Sequence, residues 1–476
     1  MALFFRPFVI AILLLLLNII TKIIFITDIP ISLDEPFTIY HAQFGIKDLV
    51  DSLNGYNNPP LYEMILHYWI KLFGISPLSV RFLPMLFASF SAIALYFFCL
   101  KYFSKRTALI SSLLLTFSSL LIQYSHTTRV YSLFLLLTIL SMHYYLEVIN
   151  ATTKRKFKMV IFIAVSTLLI YAHYFGVIVL FIQFVHCLVF FRRGLKPFLL
   201  TGIIITALYI PQILTVYSRM MVSVSGGTWV LPPSGIESLY NMLWAFCNMP
   251  IVVVLSLILL LTGIIVSFIN KNIKQISPQF GLILLWFVIP FFGMFAISYK
   301  VPMYLTRYLI FAIPSFYILV NLSVEVVFKR EMFRTSTYGI IILAFASTVD
   351  LNKGNKFPID KVVNEIIQLK DTNMAVIVKP YDELITSFAY HYNINHFKYI
   401  IPGNEYGELE EKMRSENIFF TMNDKLGINL PAYQKVLIFW TGDKLNPLEH
   451  LLQSDFQLIQ SKEWQFNHFI SLYQRK

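Results

Sequence analysis

Charge is scarce in this chain. Only 13% of its residues are Asp, Glu, Lys or Arg, against the roughly one quarter usual in soluble globular domains. That shortage excludes an ordinary water-soluble design. Cysteine is scarcer still: Cys99, Cys187 and Cys247 all lie in or beside apolar runs. No disulfide framework or ligand spacing emerges from them, which leaves buried packing as their role. The sequence has no internal repeat and no low-complexity tract, and its last quarter has no phosphate-cradling glycine loop.

What the chain has in abundance is apolar surface, at 57% of residues. Blocks such as "IAILLLLLNII" and "IVVVLSLILLLTGIIVSF" are continuous rather than alternating, so they predict membrane-spanning helices and not a barrel. The first run has Arg6 before it and no small-residue cleavage site after it, and is expected to be an uncleaved first span. Counting that first run, spans are expected at 4–26, 78–100, 107–124, 131–149, 197–216, 250–269, 279–298 and 308–328. As one helix, Val160 to Phe191 would be about 48 Å long against a hydrocarbon core of about 30 Å. The basic stretches "KRKFK" and "RRGLK" flank it, and both can be cytoplasmic only if it crosses an even number of times. Two short helices turning at "YAHYFG" are therefore expected. With "YGIIILAFASTV" as the last run, the count is about eleven spans.

The basic balance of +12 sits in short connectors, which sets membrane orientation and does not point to nucleic acid. "KYFSKR", "KRKFK", "RRGLK", "NKNIK" and "KREMFR" fall on one side. The segments "SLDEPF", "QYSHTTR", "AHYFG", "SGGTWVLPPSG" and "KVPMYLTR" fall on the other. Composition divides the chain into a membrane domain, 1–350, with a first outer loop at 27–77, and a small C-terminal α/β domain, 351–476. In the latter, "MAVIVKP", "FKYIIP" and "KVLIFW" read as strands, and "DKVVNEIIQLK", "YDELITSFAYHY" and "PLEHLLQ" as helices.

Several chemistry-bearing residues share the outer face. Asp34 and Glu35 follow the first span, and Asn57 and Asn58 precede a double proline that fixes a rigid corner. Arg129 with Tyr131, and Arg307 with Tyr308, open two spans, while His173 sits between Tyr171 and Tyr174. Helix-end arginines often serve only to anchor at the interface, the reading adopted for Arg81. Two arginines on the same face as two acids suggest instead a place that holds an anion and takes a proton. For His173 the residues leave open a proton shuttle, a phosphate donor, a metal ligand or a packed interfacial histidine. Gly226, Gly227 and Trp229 are read as an ordinary flexible outer connector.

The ordered segments "LDEPF", "NPPLYEMILHYWIKLFG", "SVRFLPMLFASFSAIALYFFCLKYF", "YSHTTRVYSLFLLL", "YAHYFGVIVLFIQ", "WVLPPS" and "TRYLIFAIPSFYIL" carry a family resemblance. Over residues 1–330 the chain resembles the bacterial membrane glycosyltransferases of the protein O-mannosyltransferase and aminoarabinose transferase superfamily, of the GT-C fold. The resemblance implies an inverting glycosyltransferase in the cell membrane with an extracytoplasmic active site. Its donor would be a polyprenyl-phosphate-linked sugar and its acceptor an extracytoplasmic glycan, lipid or protein. It also implies Asp34 as general base with Glu35 in support. Arg129, Tyr131, Arg307 and His173 would hold the donor phosphate, and Asn58 and Tyr62 would contact donor or acceptor. No cofactor is assigned; the outer acids could hold a divalent metal, but no ligand cluster is evident. The chain departs from the pattern at Asn58, where many relatives carry His or Lys, and at Thr127 and Thr128, where they often carry Glu-Ala. The competing readings are a lipid-linked sugar flippase, disfavoured by the nearly charge-free mid-spans, and a polysaccharide polymerase or ligase, which would carry its long loop between late spans.

Overall fold

A computed structural model describes residues 2–53, 59–225, 230–269, 277–354, 356–398, 406–422 and 428–476. Asn57, Asn58, Gly226, Gly227, Trp229, the "NKNIK" connector and most of "FKYIIP" lie outside them. The chain forms two compact units, one of Met1–Ile26, Leu53–Tyr62 and Arg81–Gly354, the other of Thr27–Ser52, Glu63–Val80 and Asn355–Lys476.

The first unit is helical. Six helices among the described residues are long and apolar enough to cross a membrane, or seven if the bent pair Lys105–Thr116 and Ser119–Ser125 is one span. Two shorter apolar helices, Pro7–Ile23 and Gly176–Phe190, accompany them. Pro250–Ile269 turns Ile251, Leu255, Ile258 and Leu261 outward, as suits a lipid-facing helix, whereas Tyr131–Ile149 is largely buried. The 160–191 stretch is indeed two helices, Arg155–Ala172 and Gly176–Phe190, separated by three residues that include His173. Gly176 permits the tight turn, because a Cβ there would meet the Leu169 carbonyl oxygen at 3.0 Å.

The apolar run 107–124, expected as one span, bends by 60°. Ser118 adopts an extended backbone and accepts from the Leu121 amide, which starts a new helix. Backbone groups freed by such a break must be satisfied within the protein when no water is at hand. Asn248 does this: its Oδ1 accepts from Ser119 N at 2.8 Å and its Nδ2 donates to the Phe117 carbonyl at 2.8 Å. The redirected helix then delivers the His126–Arg129 loop. Ser132 Oγ donates to Tyr124 O, and the His126 ring nitrogen Nε2 lies 2.6 Å from Lys22 O.

Ion pairs join the basic connectors of this unit. Glu147 pairs with both Lys101 and Lys158, and Arg106 pairs with Glu331. Three of the basic connectors are thereby tied together. Tyr131 begins the helix that carries Glu147 near its far end, about 24 Å away at 1.5 Å per residue.

The second unit is built on a five-stranded sheet: β1 (Met374–Lys379), β2 (Ile418–Phe420), β3 (Lys435–Thr441), β4 (Phe456–Trp464) and β5 (His468–Arg475). The order is β2-β1-β3-β5-β4, with β1 parallel to both neighbours and β5 antiparallel to both of its own. β1 is buried from Met374 to Val378, as a central parallel strand requires. β4 is mostly exposed and carries Lys462 and Glu463, a charged edge that discourages further pairing.

The segments around the acids pack onto this sheet domain. Helix Asp34–His41 lies on helix Tyr381–Tyr392. The His391 ring nitrogen Nε2 is 2.7 Å from Ile31 O, Tyr390 Oη donates to Ile75 O at 2.9 Å, and Gln43 Nε2 donates to Phe397 O at 3.2 Å. Tyr40 meets Phe44, Phe397 and Tyr406 in one aromatic cluster.

Candidate active site

In the helical unit the structure gathers Arg129, Tyr131, His173 and Arg307. His173 ends helix Arg155–Ala172 and is only 3% exposed. Its ring stacks on Phe134 at 4.7 Å and lies 6.3 Å from Tyr131 and 5.8 Å from Tyr308. Arg307 extends over the Tyr308 ring at 5.2 Å, a cation–π contact that orients the guanidinium. Arg129, nearly buried, follows the bent helix, and Thr306 beside Arg307 reaches Tyr124 Oη at 3.2 Å.

The protonation state of His173 follows from geometry. The Phe175 amide donates to His173 Nδ1 at 3.2 Å, so the ring proton sits on Nε2. Burial, reinforced by the charges of Arg129 and Arg307, holds this connector imidazole down at about 3. It is therefore neutral at ordinary pH, and among the described residues its buried Nε2 has no hydrogen-bond partner. Two guanidiniums around a donor with nothing to donate to make a receptor for an anionic oxygen.

In the sheet-bearing unit, Asp34 and Glu35 open helix Asp34–His41, where carboxylates are favoured by the helix dipole. The helix begins at Asp34, with Pro36 its third residue. A proline is tolerated there because the first-turn amides have no intrahelical partner anyway. Asp34 is exposed and Glu35 is 5% exposed. Leu33, just before them, has φ 55° and ψ −123°, a backbone a branched side chain rarely adopts.

Tyr62 is fully buried in the first turn of Leu61–Phe73, and Asn58 lies outside the described residues. Sequence reasoning missed three residues. Glu63 and His67, one turn apart on that helix, are both buried, and the His67 ring nitrogen Nδ1 lies 2.9 Å from Ala42 O. Their i, i+4 spacing was the available signal. Lys22 is also fully buried, donating to Asn18 Oδ1 at 2.7 Å and Thr116 O at 3.4 Å. Among the described residues no group of three His, Cys, Asp or Glu side chains assembles a metal site, and no step here is routed through a metal.

Residues 57–214 match the dolichyl-phosphate-mannose-protein mannosyltransferase family. ArnT from Cupriavidus metallidurans bound to undecaprenyl phosphate is similar in structure, with TM-score 0.58, 12% identity and 99% and 98% of the two chains covered. So is the Archaeoglobus fulgidus oligosaccharyltransferase in complex with Zn and sulfate, with TM-score 0.55, 13% identity and 91% and 68% covered. No curated protein matches by sequence. The chain is a multi-pass membrane protein whose fold is like that of ArnT and the archaeal oligosaccharyltransferase, the GT-C fold.

Proposed function

We propose that this protein is an inverting glycosyltransferase that moves a sugar from a polyprenyl-phosphate donor to an acceptor hydroxyl outside the cytoplasm. The observation that carries this reading is the unpartnered Nε2–H of His173 beside Arg129 and Arg307. ArnT, a protein of like fold, is known bound to undecaprenyl phosphate, which supports a lipid phosphate as the anion. On this reading Arg129, Arg307, Tyr131 and His173 hold the donor phosphate and Tyr62 contacts donor or acceptor; Asn58, given the same role by the sequence, is outside the described residues. The setting is the cell membrane. Six candidate spans, or seven with the bent pair taken as one, support this; counting the helices Ala2–Ile23, Arg155–Ala172, Gly176–Phe190 and Glu331–Thr348 as further crossings gives the expected total of about eleven.

The chemistry follows from charge. Asp34 accepts the proton of the acceptor hydroxyl as its oxygen bonds to the anomeric carbon, and Glu35 supports it. The bond from that carbon to the phosphate oxygen breaks, and the phosphate leaves with one more negative charge than it had in the diester. Preorganised guanidiniums therefore bind the transition state more tightly than the ground state. A positioned carboxylate base contributes about 10²–10⁴-fold, and no second carboxylate is needed to protonate such a leaving group.

The test is mass spectrometry of cell-envelope glycolipids and glycoproteins from cells carrying the wild type or Asp34→Asn. The variant should reach the membrane at normal level and lose the glycosylated product. An unchanged product would sink the mechanism.

A further inference from the structure

The sheet of the second unit has the order 2-1-3-5-4. The chain leaves β1 for β2 on one side and returns to β3 on the other. The crevice at the carboxyl ends of β1 and β3 is therefore a topological switch point, where open α/β sheets take their ligands. A cavity of about 400 Å³ lies there, within the range of small-molecule sites. Ser387 comes from the helix after β1, Thr441 ends β3, and Asn467 and His468 lie where β5 begins. Leu33, the residue before Asp34, completes the wall.

Two features of this wall point to a ligand. No Asp, Glu, Lys or Arg side chain lines it, and burial lowers the pKa of His468 and so favours its neutral form. An ion would find no counter-charge there. The wall offers hydroxyl, amide and imidazole groups beside Phe357 and Phe466, whose rings are 4.7 Å apart. The second feature is backbone strain. Leu33, Phe466 and Asn467 have φ of 55°, 60° and 54°. Only seven non-glycine residues in the described chain have positive φ, and three of them line this one crevice. Phe466 and Asn467 owe theirs to the β4–β5 hairpin turn, which favours positive φ; Leu33 has no such turn to account for it, and strain of that kind gathers at ligand clamps.

We infer that the crevice binds a neutral saccharide unit of the acceptor and presents its free hydroxyl to Asp34. A sugar ring has the matching character, with hydroxyls around an apolar face. This inference rests on the proposed transferase reading and narrows its acceptor to a glycan or glycolipid.

The test uses full-length protein in detergent micelles on an immobilised panel of neutral oligomers of mannose, galactose and N-acetylglucosamine, with uronic-acid and sialic-acid glycans beside them. Binding to neutral members is expected. Thr441→Trp, which fills the cavity, should weaken it by about tenfold or more, and Asn467→Gly, which keeps the left-handed turn but deletes the amide, by several-fold. Gel filtration and thermal melting establish that both variants fold. Asp34→Asn should bind like the wild type, so failure of the catalytic mechanism and failure of the crevice are read separately. Absence of neutral-glycan binding, preference for the acidic glycans, or full binding by folded Thr441→Trp would each overturn the inference.

Discussion

The imidazole of His173 lies nearly flat on the Phe134 ring, with 21° between the planes and 4.7 Å between centroids. This stack fixes the direction of the Nε2–H bond. His173→Phe should keep the packing and delete the donor. Transfer to any acceptor should then fall about tenfold to a hundredfold, with the loss in kcat as well as KM, because the leaving phosphate gains charge in the transition state. Steady-state kinetics with a polyprenyl-phosphate sugar measure the split.

The same residue gives a pH signature. Its folded pKa is about 3 and its unfolded pKa about 6.5. Between these values the unfolded chain binds a proton that the fold excludes, so stability is full above about pH 6.5 and declines as pH falls toward 3. Melting curves in detergent should show a steeper acid loss for wild type than for His173→Phe.

Arg129→Lys and Arg307→Lys keep the charge but lose the planar fork. Each should lower kcat/KM by roughly tenfold to a hundredfold, because bidentate recognition of phosphate is what distinguishes the two side chains. Wild-type kinetics in Arg307→Lys would reduce that residue to an interfacial anchor.

Asn248 has φ 64°, so Asn248→Gly deletes the amide without straining the backbone. The orphaned Ser119 amide and Phe117 carbonyl should cost about 1–3 kcal/mol each, read as a clear drop in Tm. Because the break also aims the Arg129 loop, activity should fall further than Tm alone explains.

Topology is open to cysteine labelling, since all three native cysteines are buried. A membrane-impermeant maleimide should modify Asp51→Cys in intact cells and spare Lys154→Cys. The reverse pattern would invert the orientation.

Much of this was legible in the sequence because the signals were local. Apolar runs with basic connectors announced the spans, and charge parity alone divided 160–191 into two helices around His173. "YDELITSFAYHY" carried its helix, Tyr381–Tyr392, in its own periodicity. What stayed hidden depends on distant partners. The break at Ser118 lies inside an unbroken apolar run and is held by Asn248, 129 residues from Ser119. "FQLIQSKEW" is too polar to read as a strand until β5 pairs with it. The burial of Glu63 and Lys22 likewise follows from tertiary packing.

The contact between Ile31 and His391 spans 360 positions of sequence. A ribosome releases the segment bearing Asp34 and Glu35 long before it makes the domain on which that segment rests. Until the last quarter of the chain is synthesised, the helix Asp34–His41 lacks its supporting surface, and loop closure across so long a chain is slow. Maturation of the acids is thereby tied to completion of the polypeptide, so under the proposed mechanism a nascent or prematurely terminated chain would be inserted in the membrane yet unable to transfer sugar.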